Sequence, residues 1–304
     1  MSKLVAVTGA TGFIGSIVIQ ELIHDGWNIR ALTRHGSHSG SESLEWIQGD
    51  LDNLTALHHL VNDAAFVIHC AATVKGSSFL EFEHINVEGT KNLLAATLNQ
   101  THRPRFLYLS SLAARQPELS WYAQSKSLSE RQFPQYSDKL QWTIFRPTAV
   151  YGPGDKELKP LFQAMHRGIM PAFGSIYNRF GLIHVHDLVS AILTWLNTPV
   201  SANQIFELDD GTPNGYSYEE LAILAQNVWK RPVRCIQIPD LMIRSIAALN
   251  LRLSQVLHYS PRLTPGKVNE LQHNNWVCDN TPLRNVIPDW QPKVHLRDIL
   301  PELI

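Results

Sequence analysis

The segment Gly9-Ala10-Thr11-Gly12-Phe13-Ile14-Gly15 joins an apolar run, Leu4–Thr8, to an amphipathic one, Phe13–His24, and no other feature restricts the fold as much. The first run reads as a buried strand and the second, with its apolar residues at helical spacing, as the helix that follows it. Each glycine then has its own task. Gly9 permits the sharp turn out of the strand, Gly12 lets a pyrophosphate approach the backbone, and Gly15 lets the helix lie close to the strand. A helix start leaves N–H groups unpaired and carries the positive end of the dipole. Gly9, Thr11, Gly12, Phe13, Ile14 and Gly15 therefore form a candidate dinucleotide site. Three glycines at this spacing also suit a purely structural turn. The strand before them, the helix after them and their position at the head of the sequence favour the dinucleotide.

The rest of the first half alternates in the same way. Strands are expected at Asn28–Thr33, Leu44–Gln48, Ala65–His69, Arg105–Ser110 and Trp142–Phe145, with helices at Leu54–Val61, Glu83–Leu98 and Tyr122–Phe133. Strands separated by helix-length crossovers run parallel, so the fold class is α/β, a doubly wound parallel sheet with its ligand crevice at the strands' carboxyl ends. The alternation fails after Arg146-Pro147, where Pro and Gly cluster through Tyr151-Gly152-Pro153-Gly154. Residues 1–154 are read as the cofactor-binding domain and 155–304 as mainly a smaller C-terminal substrate lobe. Segments near 183–208 are expected to return to the sheet: a strand and helix over Ile183–Leu196 and a strand at Gln204–Leu208. A helix is expected at Tyr218–Trp229 and a short one at Pro265–Leu271, with Pro282–Pro292 as loop.

Charge excludes several partners. The 304 residues carry 26 Lys and Arg against 27 Asp and Glu, a net charge of −1, so no bulk basic field exists to hold nucleic acid or anionic lipid. No stretch has the apolar length to cross a bilayer. The most apolar helix candidate, Leu241–Leu257, is interrupted by Arg244, Asn250, Arg252 and Gln255. Nucleic acid and membranes are thus set aside as partners. Met1-Ser2-Lys3 leads straight into the first strand, which is too short for a signal-peptide core. Cys70, Cys235 and Cys278 lie far apart with no CxxC pair and no His at ligand spacing, so reduced thiols, no metal and a cytoplasmic location are expected. The 14 histidines are read as mostly solvated surface residues.

Two positions bear on the choice of cofactor. Where an NAD site presents an acid after the second strand, this sequence has Arg34, whose planar donors suit a 2′-phosphate, so NADP is favoured and NAD remains open. Asp50, after the third strand, can accept from the adenine amino group. The chemistry is placed by Tyr122-Ala123-Gln124-Ser125-Lys126, which sets Tyr and Lys at i and i+4 on one helix face, and by Ser111 just past the preceding strand. An ammonium near a phenol favours the phenolate, so Lys126 is expected to lower the pKa of Tyr122 while holding a ribose. Ser111 is expected to hydrogen-bond the substrate oxygen.

Further motifs follow in order: Gly49-Asp50-Leu51, His69-Cys70-Ala71-Ala72, Asn86-Val87-Glu88-Gly89-Thr90, Leu109-Ser110-Ser111, Arg146-Pro147 through Tyr151-Gly152-Pro153-Gly154-Asp155, and Ile183-His184-Val185-His186-Asp187-Leu188. With them the sequence resembles the extended short-chain dehydrogenase/reductase family, the NAD(P)-dependent epimerase, dehydratase and reductase group. It is closest to the branch with dihydroflavonol-reductase-like and 3β-hydroxysteroid-dehydrogenase-like members. The resemblance implies a Rossmann-type fold and hydride exchange at a nicotinamide, with Ser111, Tyr122 and Lys126 as the catalytic set. It also implies cofactor contacts at Leu51, Ala71, Ala72, Thr73, Asn86, Tyr122, Lys126, Pro147 and Val150. Similar proteins pair two helices across a symmetry axis, which makes a homodimer the oligomer it raises.

Departures from the family pattern narrow the chemistry. Leu112 and Ala113 stand where sugar-nucleotide dehydratases carry an acid pair, which argues against dehydration. Ala149, Phe180 and Gly181 replace the Asn and Arg-Asp that epimerases place against a diphosphate, with Arg179 one residue off register and able to compensate in part. Only Leu112–Trp121 separate Ser111 from Tyr122, a short connection that leaves substrate shape to the lobe. Val74, Lys75, Trp121, Phe162, Met165 and Phe173 are candidate walls. The favoured function is an NAD(P)-dependent oxidoreductase that moves hydride between NADP(H) and a carbonyl or alcohol substrate, a small molecule. The alternative is a sugar-nucleotide epimerase with tightly held NAD(P). An NADP-sensing binding protein is disfavoured because Tyr122 and Lys126 are both present.

Overall fold

The computed structural model describes residues 3–36, 40–199 and 203–304; Met1 and Ser2, at the head of the expected cofactor domain, lie outside them. The first half follows the alternating pattern: β1 Leu4–Thr8, α1 Phe13–His24, β2 Asn28–Thr33, β3 Leu44–Gln48, α2 Leu54–Val61, β4 Phe66–His69, a short α3 Phe79–Phe82, α4 Gly89–Leu98, β5 Arg105–Leu109, α5 Trp121–Glu130 and β6 Trp142–Pro147. The helix expected over Glu83–Leu98 begins instead with a π-helical segment, Glu83–Glu88. That wider turn surrounds Asn86, and such bulges recur at functional sites.

The second half supplies β7 Ala149–Tyr151, α6 Lys159–His166, β8 Ile169–Phe173, β9 Arg179–Phe180, β10 Leu182–His184, α7 Val185–Asn197, β11 Gln204–Leu208, β12 Tyr216–Ser217, α8 Tyr218–Trp229, β13 Arg234–Ile238, α9 Asp240–Leu257, α10 Pro265–Gln272, β14 Asn275–Trp276 and α11 Thr281–Val286. Seven strands form one parallel sheet in the order β11-β6-β5-β4-β1-β2-β3. The chain leaves β1 in one direction for β2 and β3, then crosses back to β4. The crevice therefore opens where β1 and β4 end side by side, Thr8 opposite His69.

Each face of the sheet carries its own apolar layer. α1 and α7 pack on one, with Val18, Leu22, Ile192 and Trp195 buried. α2 and α4 pack on the other, with Leu57, Leu60, Leu93 and Phe133 buried. Each such side chain contributes about 1.5–3 kcal/mol of transfer free energy. Of the segments expected to return to the sheet, only β11 joins it. β10 pairs with β7 in a separate two-stranded ladder, and α7 covers α1. The loop expected over Pro282–Pro292 holds most of α11, and Trp290 beyond it is buried with its Nε1–H donated to Asp187 O at 3.0 Å. A chain end that returns to the core must satisfy such polar groups, which loop composition does not disclose.

The lobe has a separate core around the parallel pair β8 and β13, α6 and α8. α8 is set by a capping box between Ser217 and Glu220. α9 and α10 pack on the end of β8 through a small seam of Ile243, Ala247 and Val268. Among the described residues no helix is long and apolar enough to cross a membrane, and Cys70, Cys235 and Cys278 are free.

Candidate active site

The glycine turn is shaped by close approach. Gly9 has φ +72°, and a Cβ there would lie 2.6 Å from Ala71 N; a Cβ on Gly15 would lie 2.1 Å from Gly9 O. Only hydrogen fits at either place. Gly12 caps α1 in extended backbone with no side-chain cap, and the first helical bond runs from Ser16 N to Gly12 O at 2.9 Å. The N–H groups of Phe13, Ile14 and Gly15 precede that bond and have no intrahelical acceptor. With Thr11 and Gly12 exposed, this cradle fits a pyrophosphate.

The adenosine side is built from the ends of β2 and β3. Gly49 N donates to Thr33 O at 2.9 Å, which brings Gly49-Asp50 beside Arg34. Arg34 is exposed just past β2, free to meet a phosphate. Asp50 is exposed, but its Oδ1 accepts from Asp52 N and Asn53 N at 3.0 and 3.1 Å, so one oxygen already shapes the start of α2. Leu51 is pinned against Gly89, and its carbonyl accepts from Asn92 Nδ2 at 2.9 Å.

Beyond β4, Ala71-Ala72-Thr73 runs along the crevice and is held from beneath. Thr73 N donates to Asn86 Oδ1 at 2.7 Å, and Asn86 Nδ2 donates to Thr73 O at 3.0 Å and to Ser125 Oγ at 2.8 Å. Asn86 is buried and its amide is consumed within the protein. Asn86 thus acts as a strut between this loop and the helix that carries Tyr122 and Lys126. A buried chain continues it, with Thr90 Oγ1 donating to Asn86 O, His69 Nε2 hydrogen-bonded to Thr90, and His69 Nδ1 to Thr8 at the glycine turn. Burial, with a smaller contribution from the Lys126 charge, lowers the His69 pKa to about 3, so the ring is neutral. The sequence reading missed His69 by treating histidines as solvated. Its place at the end of an apolar strand was the available signal.

Ser111 and Tyr122 come together across a one-turn helix, with the Tyr122 phenol hydrogen-bonded to Ser111. Ser111 Oγ also accepts from Ala113 N at 3.2 Å, which fixes its rotamer. Tyr122 opens α5 behind Ser120, whose hydroxyl caps the helix by accepting from Ala123 N at 3.0 Å. Lys126 lies a turn along, buried, donating to Leu109 O at 2.7 Å with its ammonium 4.2 Å from the Tyr108 ring centroid. Burial lowers the Lys126 pKa to about 7, while Glu130 and Cys70 act in the opposite direction. Glu130 is itself engaged by Arg146 Nε at 2.9 Å and by Ser110.

The Tyr122 pKa is raised, first by desolvation; the Ser111 hydrogen bond and the Lys267 charge oppose this and Glu270 adds to it. The expected partnership is thus corrected. The charge that favours the phenolate is that of Lys267 of α10, while Lys126 donates to Leu109 O at the carboxyl end of β5. Lys267 Nζ pairs with Glu270 at 2.8 Å, and Glu270 also receives the Ser120 hydroxyl. Lys75 Nζ pairs with Glu157 Oε1 at 2.6 Å, and the Glu157 charge also reaches Lys267. Lys267, Glu270 and Glu157 carried no motif.

Of the expected wall residues, Val74 is exposed, Lys75, Trp121 and Phe173 are half-buried, and Phe162 and Met165 lie inside the lobe core. The last two are corrected to packing residues. Arg179 does not stand free for a diphosphate: its guanidinium grips Glu220 at 2.7 and 3.0 Å. Pro147 is buried at the end of β6, and Val150 is half-buried against the core under α1.

A doubly wound parallel sheet, a glycine turn at its switch point and a Ser-Tyr-Lys group beside that turn define a nucleotide-dependent oxidoreductase or epimerase. The model of the NAD-dependent epimerase/dehydratase family matches residues 5–208, and the chain belongs to that family. It is 34% identical over 288 residues to a ceramide reductase of Caulobacter vibrioides, covering 94% of this chain and 89% of the relative. A UDP-glucose 4-epimerase of Vibrio cholerae is 28% identical over 263 residues, 77% of this chain and 79% of the other. Among solved structures, MoeE5 in complex with UDP-glucuronic acid and NAD overlays with a TM-score of 0.74 at 22% identity, covering 98% of this chain and 96% of the other. The UDP-glucose 4-epimerase of Thermotoga maritima gives 0.73 at 19%, over 98% and 96%. At those identities the overlays establish the fold.

Proposed function

We propose that the chain is an NADP(H)-dependent reductase that converts a ketone on an amide-bearing, long-chain lipid into a secondary alcohol. One observation carries this reading: the Tyr122 phenol is hydrogen-bonded to Ser111 in a desolvated setting that keeps it protonated, as a proton donor in reduction must be. When bound, the reduced dinucleotide supplies the hydride. Tyr122 gives its proton to the carbonyl oxygen, and the Ser111 hydroxyl donates a hydrogen bond to that oxygen as charge develops on it. On this reading Lys126, held at the end of β5, would donate to ribose hydroxyls, and Arg34 would pair with a 2′-phosphate.

The end-to-end relationship to a ceramide reductase supports the lipid substrate. Sequestration of Arg179 by Glu220 weighs against a sugar diphosphate, which would lose a charge-assisted contact. The test uses a ceramide whose backbone secondary alcohol has been oxidised to the ketone. Net NADPH oxidation is expected, with kcat about 10²- to 10⁴-fold lower in Tyr122→Phe and the NADPH Kd little changed. Interconversion of UDP-glucose and UDP-galactose without net change in nicotinamide absorbance would instead establish the epimerase.

A further inference from the structure

We propose that α9 is a docking helix for an anionic phospholipid surface, along which the protein lies without crossing it. The 18-residue helix has two apolar arcs, with Arg244, Gln255 and Arg252 on the third. Ile243, Ala247 and Ser254 form the inner seam, buried toward Val268 of α10. Met242, Ile246, Leu249, Leu253 and Val256 follow a 4-3-4-3 spacing that, at 3.6 residues per turn, forms one stripe about 120° around the helix from that seam. Leu241 and Leu257 widen it, and all seven side chains are exposed by 44 to 80%. A surface helix ordinarily turns a polar face to water. Single exposed apolar residues need no explanation, but a continuous face about five turns long does.

The apolar surface continues toward the active site. Gln255 Nε2 donates to Ser77 O at 3.2 Å, which ties the end of α9 to the loop between Thr73 and α3. Leu80 and Val74 on that connection are exposed by 70 and 53%. The helix therefore lies beside the mouth of the crevice, where a lipid ketone would enter.

Charge selects the occupant. From Asp240 to Arg262 the chain has one acid and three arginines, Arg244, Arg252 and Arg262, although the whole protein carries −1. Asp240 is already paired with Arg244 at 2.7 Å. Arg252 and Arg262 stay exposed at the rim, the arrangement by which interfacial helices hold anionic lipid. A second copy would bring the same arginine excess and no free acid on this helix to receive it. The sequence reading set membranes aside because the net charge of −1 gives no bulk field for anionic lipid and because nothing can span a bilayer; a helix lying in the interface needs no span, and its arginine excess is local.

The inference stands apart from the reductase reading, since Tyr122→Phe is expected to leave it intact. The full chain is mixed with vesicles of phosphatidylcholine alone, or of about three parts phosphatidylcholine to one of phosphatidylserine. It is expected to float with the anionic vesicles roughly tenfold more than with the neutral ones. Leu249→Glu/Val256→Glu changes only exposed positions and is expected to retain the wild-type circular dichroism spectrum while losing flotation. Arg252→Glu/Arg262→Glu is expected to lose the preference for anionic vesicles. Absence of wild-type flotation overturns the proposal, as does flotation unaffected by the Leu249/Val256 pair. A wild-type dimer that this pair converts to monomer, with no vesicle binding by either form, assigns the stripe to a second copy.

Discussion

Replacing Asn86 with Ala tests whether the cofactor loop and the catalytic helix are positioned by one side chain. The substitution removes bonds of 2.7 and 3.0 Å to Thr73 and 2.8 Å to Ser125. Thr73 is half-buried, so water can partly replace what its N–H and carbonyl lose, at about 1 kcal/mol each. Ser125 Oγ is buried but still donates to Tyr122 O at 2.8 Å, so it loses only an accepted bond, again about 1 kcal/mol. A small cavity at this buried site brings the sum to about 4 kcal/mol. At roughly 2 °C per kcal/mol for a chain of this size, the melting temperature should fall by about 8 °C. Released from its strut, the Ala71–Thr73 loop should also bind NADPH about tenfold more weakly, because Ala71 lies against Gly9. Differential scanning fluorimetry and a fluorescence titration with NADPH read the two effects separately. A melting temperature within about 1 °C of wild type refutes the bond accounting. A full thermal loss with unchanged NADPH affinity makes Asn86 a strut of the fold alone.

Arg34→Ala should weaken NADPH by about 10- to 100-fold and leave NADH nearly unchanged, since the guanidinium is exposed and has only the 2′-phosphate to distinguish the two. Equal weakening of both in a competition titration would remove the basis for the NADP assignment. The Lys126 pKa of about 7, against 10.5 for an ordinary lysine, means that the unfolded chain holds more proton between those values. The contribution of Lys126 to stability should therefore rise with pH across that window and be flat below it, so the difference in stability between wild type and Lys126→Met should change by that rise in urea titrations at neutral and alkaline pH. Because the Tyr122 pKa is raised, loss of the phenol proton should slow ketone reduction only in alkali, while alcohol oxidation, which needs the phenolate, should rise with pH. A reduction kcat that falls between acid and neutral pH in Lys126→Met, where titration of Lys126 is absent, would contradict that assignment.

The cofactor half was legible because its determinants are local. Gly9, Gly12 and Gly15 work within one strand-turn-helix unit, and period and turn signals describe such a unit directly. Tyr122 and Ser111 were equally accessible, since strand and helix ends fix where they emerge. Lys126 was half legible: its i+4 spacing showed it one turn along α5 from Tyr122, but not that its buried ammonium would be held by the Leu109 carbonyl. Asn86 shows the limit of motif reasoning, which marked the position but could not show its amide spent on Thr73 and Ser125. The lobe was least legible, because its contribution arrives over long separations. Asn269 of α10 donates to Leu119 O and Glu270 receives Ser120, each across 150 residues. Nothing in the spacing around Lys267 announces that it faces Tyr122.

α9 carries the same lesson into the question of what lies outside the molecule. A helix with two apolar arcs reads in sequence as largely interior, and Leu241–Leu257 is rich enough in leucine and isoleucine for that. Periodicity tells which positions share a face. It does not tell whether the protein itself covers that face. Here α10 covers one side through Ile243, Ala247 and Ser254, and the other remains bare beside the crevice mouth. Leaving that much apolar surface in water favours association with whatever will cover it. The proposed lipid substrate and the proposed interfacial helix rest on separate observations and meet in one physical constraint: a water-insoluble ketone would reach Tyr122 most directly from the surface in which it is dissolved.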